Sequence, residues 1–209
     1  MLVVAALGAA AFGQEAAPDK RAFGVMPNYK TVEPGTDVGP LTAKGKFTIA
    51  RKDAFDYPIL MVTGVLAGIS HSGNANPSFG QGAKGYAHRY ATGYADQALT
   101  TIMVEGAFPA LFHHDPRYFR KGTGSTISRV GYATSRVVVN RDDHGRRAFN
   151  YSEFLGNGAI CGAANLYYPD NRNLSGNLTR FGTFLSTDAL GNVLKEFWPD
   201  IKKKLVKHN

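Results

Sequence analysis

Alanine recurs every fourth residue at Ala83, Ala87, Ala91 and Ala95, and tyrosine recurs beside it at Tyr86, Tyr90 and Tyr94. At ~3.6 residues per turn, each set forms a nearly continuous ridge on a helix. The spacing therefore predicts a helix over 83–111. Small residues in such a ridge let a second helix approach closely. The device recurs at Gly64 and Gly68, inside the apolar run 59–69, and at Gly158 and Gly162. In a membrane this spacing drives helix association; in a water-soluble bundle it marks crossing points.

The other elements are read from caps and breakers. A helix starts near Asp53 and Asp56, with Pro58 tolerable in its first turn. Residues 70–82 read as a loop, and Pro109 as a kink or stop in the helix that follows. A third helix covers 126–139, with Val137-Val138-Val139 also compatible with a strand, and the turn Asn140 to Gly145 ends it. A fourth starts at the capping box Asn150-x-x-Glu153 and stops before Pro169. A fifth spans 177–206, bent or interrupted at Pro199. The expected fold is all-α: about five Gly/Ala-rich helices in a single bundle, forming a helical domain over 53–209.

Two segments precede that domain. Residues 1–13 are apolar and uncharged and end in the small-x-small site Ala11-Phe12-Gly13, as in a secretory signal peptide cleaved near Gln14. No Lys or Arg precedes the run, so either the free amine serves or the true start lies upstream. Thirteen residues are too few to cross a ~30 Å hydrocarbon core as a helix. The competing reading is a short buried N-terminal helix. Residues 14–52 read as an extended linker, broken by Pro18, Pro27, Pro34, Gly35 and Pro40.

Arg89, Asp96, Glu105, Arg136, Asp188 and Lys195 interrupt the helices, and none offers the ~18–20 apolar residues of a span. Helices packed on each other or on partners, with contact at a membrane surface, are favoured over spanning ones. The alternation of a lipid-facing β-barrel is missing. Charged residues are 19% of the chain, below the usual quarter, and the net charge is +8. The basic run Lys202, Lys203, Lys204 and Lys207 suits an anionic membrane surface, or a solvated helix end that complements the helix dipole. No recognition motif points to nucleic acid; the expected partners are envelope chains or further copies of this one. The single Cys161 excludes a disulfide framework and reads as a small buried hydrophobe.

The densest polar cluster is His113-His114-Asp115-Pro116-Arg117-Tyr118-Phe119-Arg120. Imidazole, carboxylate and guanidinium in His113, His114, Asp115 and Arg117 could bind an anion or move a proton. The plainer reading is a helix-ending turn whose Arg117 pairs with a neighbouring carboxylate. Asp96 and Glu105 stand in otherwise apolar or small surroundings. Nine residues apart, they face opposite sides of a regular helix, ~180° around it. Each would need a partner from another helix, and Arg129 and Arg136 are the natural candidates. Walker, His-Glu-x-x-His, EF-hand and Gly-x-Ser-x-Gly motifs are absent. His71, His88, His113, His114 and Asp115 lack a recognised ligand spacing, so no metal or cofactor is expected. Ser135-Arg136 with His144 is too widely spaced for the acid-phosphatase pattern.

Ala95-Asp96-Gln97, Glu105 to Pro109, Asp115 to Phe119, Asn165 to Pro169 and Leu194 to Ile201 together resemble a family of exported bacterial proteins over roughly 60% of the chain, residues 79–201. Some members carry a carboxypeptidase-regulatory-like β domain in front. The resemblance implies a shared helical unit and an envelope location, and it imports no activity. The expected function is a non-catalytic envelope structural or interaction protein, membrane-associated. The alternative is an envelope hydrolase acting on an anionic substrate through the His113-His114-Asp115-Arg117 loop, with Asp96 or Glu105 assisting. An enzyme would gather those side chains around one pocket, whereas an interaction module would expose a large apolar patch.

Overall fold

The structure is a computed structural model that describes residues 30–206. The segment 1–13, expected to be a signal peptide, and Lys207 lie outside the described residues. Helix dominates. In chain order the helices are α1 (Ala43–Ala54), α2 (Tyr57–Ser72), α3 (Gly82–Thr101), α4 (Phe108–Phe112), α5 (Thr126–Ser135), α6 (Tyr151–Ala164) and α7 (Leu174–Val206). Short 3-10 turns form at Pro77–Phe79 and Pro169–Asn171.

The all-α expectation needs one correction, because two small sheets are present. β1 (Thr31–Val32) pairs in parallel with β3 (Tyr118–Phe119). β2 (His114–Asp115), β4 (Val139–Asp142) and β5 (Arg147–Phe149) form an antiparallel sheet in the order β2-β4-β5. The valine run ends helix α5 at Ser135 and enters β4, as β-branched residues favour. Gly145, at φ 78°, supplies the left-handed residue of the β4–β5 turn.

Helix α1 occupies the last part of the segment read as linker. Thr42 caps it, its Oγ1 accepting from the Gly45 N–H at 3.1 Å. Its inward side chains include Lys46 and Asp53, so it shows no apolar stripe in sequence. Pro109 neither stops nor simply kinks the second predicted helix. It has no N–H to donate to the carbonyl of Glu105, four residues back, and the ladder widens into a π turn over Ile102–Ala107 before closing as α4. Helix α7 runs through Pro199. Pro199 has no N–H for the Lys195 carbonyl, and the next carbonyl, that of Glu196, accepts from Arg120 Nε at 2.8 Å and Arg129 Nη2 at 2.7 Å.

Helix α2 packs on α3, α1 on the π turn, α5 on α7, and α6 on both α7 and the π turn. Gly64 lies against Tyr86 and Tyr90, and Tyr86 donates to its carbonyl at 3.2 Å. The tyrosine ridge therefore does meet a small residue. In α6 the close approach falls on Gly156, where an added Cβ would meet Val104 at 2.8 Å; Gly158 and Gly162 face open space. Gly85 sits over the Gly80 carbonyl, which an added Cβ would meet at 2.3 Å. Gly85→Ala should lower stability by about 1–3 kcal/mol, because backbone must shift to admit the methyl. Gly131→Ala, in open space on α5, should be neutral or stabilising. Urea midpoints of the two variants compare them directly.

Candidate functional site

Burial in this chain runs against the usual sorting. The buried hydrophobics are dominated by alanine: Ala50, Ala54, Ala67, Ala98, Ala133 and Ala164. Among the largest fully buried side chains are Lys46, Glu196 and Asn157. Meanwhile Met61, Val62, Val65, Leu66 and Ile69 of α2 are each more than half exposed. Leu174, Leu178 and Leu190 of α7 are exposed as well. Charged groups are almost never buried unless paired, and large contiguous apolar patches on a monomer mark contact surfaces.

Several of the buried charges converge on one cavity of about 280 Å³. Lys30, ahead of β1, donates to Asp53 at the end of α1 and to Glu105 in the π turn. Glu153 enters from α6, and Asp188 and Lys195 from α7. Glu153 belongs to a capping box in part only. The Asn150 side chain accepts its N–H at 3.3 Å, but the Glu153 carboxylate turns inward and accepts from Asn157 at 3.0 Å. Arg136, Asn140 and Asn150 also line the cavity, as do Thr100 and Thr101 of α3.

Among the groups lining this cavity, Asp53, Glu105, Glu153 and Asp188 and the ammonium groups of Lys30 and Lys195 perturb one another. Burial, then the Asp53 charge, push Glu105 up to about 7 against the pull of Lys30 and Lys195. Burial and the charge of Lys30 push Lys195 down to about 8, although Glu105, Asp53 and Asp188 hold it up. Burial also opposes ionisation of Asp53, but Lys30 prevails and holds it below the usual carboxylate range. Glu153 is pushed well up by burial and by Asp188. Glu105 and Lys195 are both brought toward neutrality, and their titration belongs to the group as a whole.

The sequence-derived candidates do not assemble. His113 caps α4 in the left-handed conformation, at φ 55°, and its side chain is exposed, 3.8 Å from Asp143. His114 points elsewhere, its Nδ1 3.0 Å from Ser152 Oγ, and burial together with Lys46 lowers its pKa. Ser152 is 1% exposed, out of reach of any substrate. Asp115 accepts the Arg117 backbone N–H at 2.9 Å and the Arg117 guanidinium at 2.6 Å, while that guanidinium also donates to the Gly39 carbonyl at 2.7 Å. That pair is the helix-ending turn. Asp96 and Glu105 stay apart, and neither takes the expected arginine. Asp96 accepts from Tyr167, and Glu105 from Lys30. Arg129 goes to Glu196 and Asp200 instead, at 2.8 and 2.6 Å. Arg136 stacks over Tyr132 and hydrogen-bonds Ser135 at 3.0 Å. Of the six candidates, Glu105 and Arg117 line the charged cavity.

A second hollow of about 510 Å³ lies over residues 32–40, beside Asp115, Arg117, Arg120 and Asp143. Several of its charges are paired within the protein: Arg117 to Asp115, Arg120 to Glu33, and Asp143 to Lys46 at 2.7 Å. Among the described residues, no group of three or more His, Cys, Asp or Glu could hold a metal ion. None of the described helices is long and apolar enough to cross a membrane. Cys161 is buried and free.

These observations define a mostly helical chain with buried ion pairs and exposed apolar side chains on α2 and α7. No family model, no curated protein and no solved structure matches it.

Proposed function

We propose that this chain is a non-catalytic protein of the bacterial cell envelope, a single helical bundle that works attached to a membrane surface or to other envelope chains. The inverted burial carries the reading. Exposed leucine, isoleucine, valine and methionine on α2 and α7 leave unused the burial that stabilises a water-soluble domain, worth about 25 cal/mol per Å². The Gly158 and Gly162 face of α6 is likewise open to a neighbour. Lys202 and Lys203 are exposed on the last turns of α7, where they would meet anionic headgroups. An export signal over 1–13 would deliver the chain to that compartment.

The hydrolase alternative has less support, because His113, His114 and Asp115 diverge and each is engaged elsewhere or exposed. Fractionation of cells expressing the full chain tests the proposal. The expected product stays with membranes through a carbonate wash, or elutes as an oligomer or complex. A monomer in the soluble fraction, stable without detergent, would overturn it.

A further inference from the structure

The ionic cavity is built from several separate segments of chain, and its charges are unevenly satisfied. Asp53, Asp56, Glu105, Glu153 and Asp188 share its wall with Lys30, Lys195, Arg117 and Arg136; Glu105 Oε2 has no hydrogen-bond partner, and burial pushes Glu105 and Glu153 toward their neutral forms. Arg136 lacks a counterion. It lines the same cavity, yet among the described residues it has no carboxylate within salt-bridge reach. Its contacts are the Ser135 hydroxyl and the Tyr132 ring. Burial, Arg147 and Arg141 all disfavour its charge, which an anion beside it would relieve. A third group is left over as well. Thr100 is 5% exposed, lines the cavity, and its Oγ1 has no hydrogen-bond partner. A buried hydroxyl without a partner in a polar cavity is the mark of a missing ligand or solvent atom.

We propose that this cavity binds a small zwitterion, in which a primary ammonium group and an oxyanion such as phosphate are joined by a short chain. The ammonium would sit among Glu105, Glu153 and the Thr100 hydroxyl, which together can accept its three N–H bonds. The oxyanion would take the guanidinium of Arg136. A bare metal ion fits less well, because the carboxylates do not converge on one point. A volume of about 280 Å³ admits a molecule of this size with a few waters. Such a headgroup could be free in solution or belong to an aminophospholipid. The inference deepens the proposed envelope role, but its soluble arm does not depend on membrane attachment.

The test is calorimetric titration of the full chain, kept in mild detergent, with O-phosphoethanolamine, ethanolamine, inorganic phosphate and phosphocholine. Phosphoethanolamine is expected to bind, and each half-molecule to bind at least about tenfold more weakly, as loss of a charge-assisted hydrogen bond implies. Phosphocholine should also be weaker, since its methyl groups leave the acceptors of Glu105 and Glu153 without donors. Arg136→Gln should weaken phosphoethanolamine while leaving ethanolamine unchanged. Thr100→Val, nearly isosteric and tolerable to the fold, should weaken both. Vesicles containing phosphatidylethanolamine, against phosphatidylcholine vesicles, separate the two sources. Binding to those vesicles without binding of the soluble headgroup assigns the ligand to lipid. No binding in either arm by protein with an intact helical circular dichroism spectrum would overturn the proposal. Phosphate or ethanolamine alone binding as tightly as the zwitterion would overturn it too. Failure here, with the chain still in washed membranes, would leave the envelope role standing.

Discussion

Glu196→Ala should destabilise the fold by about 3–5 kcal/mol, the scale for removing one partner of a buried ion pair. Glu196 is completely buried on α7. One carboxylate oxygen accepts from Arg129 Nε and the Gly122 N–H, each at 2.8 Å. The other accepts from the Tyr118 hydroxyl and the Lys121 N–H, each at 2.9 Å. The alanine variant strands four donors, one of them a buried guanidinium stacked on Phe197 at 4.3 Å. Against a typical total of about 5–15 kcal/mol, that loss can unfold the protein. Glu196→Gln keeps the shape but turns an amide NH2 toward other donors, so an intermediate loss of about 1–3 kcal/mol is expected. The network also sets an acid limit. Although burial opposes it, Arg129 and the Gly122 and Lys121 N–H groups hold the Glu196 pKa below its usual 4.5. A depressed folded pKa gives stability that is present above the unfolded value and lost as pH falls through the folded one. Urea unfolding from pH 3 to 6 should show that acid limb, and Glu196→Gln should flatten it. An unchanged limb in the variant would assign acid sensitivity to other groups.

The charged cavity should make stability fall toward neutral pH. Glu105 has a folded pKa raised from 4.5 to about 7, so its contribution is fully present below 4.5 and lost as pH rises through 7. At ~1.4 kcal/mol per pKa unit, the loss from this group is about 3 kcal/mol. Glu153 acts in the same direction. Lys195 has the opposite slope. Its folded pKa is lowered from 10.5 to about 8, so its charged form is a cost below 8, and stability is regained between 8 and 10.5. Glu105 and Lys195 together predict a minimum between about pH 7 and 8, with a rise on either side. Thermal melts across pH 5 to 10 measure it directly. Glu105→Gln should flatten the acid side of the minimum, and Lys195→Met the alkaline side. A Glu105→Gln variant with the wild-type slope between pH 5 and 7.5 would show that Glu105 is not the group that titrates.

Local chemistry explains which parts of the structure were readable. The period-four ridges of α3 and the caps at Asp56 and Asn150 act within a few residues, so those helices are legible in a single chain. The arginine turn at Asp115 is legible for the same reason. Helix α1 was not, because its buried positions are Lys46 and Asp53 rather than leucine, and a periodic apolar signal was never there to read. The small sheets depend on β1 meeting β3 and β2 meeting β4, contacts between distant segments that two-residue strands cannot announce. The charged cavity was half visible. Glu105, Arg136, Asp188 and Lys195 stand out as charges interrupting helical runs, and such charges need an interior partner. Which partners they have depends on the docking of α1, the π turn, α6 and α7.

The sequence by itself determined that the chain is mostly helical, where its main helices begin, and that its charges sit at helix positions where lone charges are costly. Those are properties of neighbours within a turn or two of helix. Tertiary structure alone decided that Glu105 faces Lys30 rather than an arginine, that Arg129 serves Glu196, and that Met61 and Leu66 are exposed while Lys46 and Glu196 are buried. An ion pair is chosen by three-dimensional proximity at energies of a few kcal/mol, and no local pattern in a sequence encodes that choice.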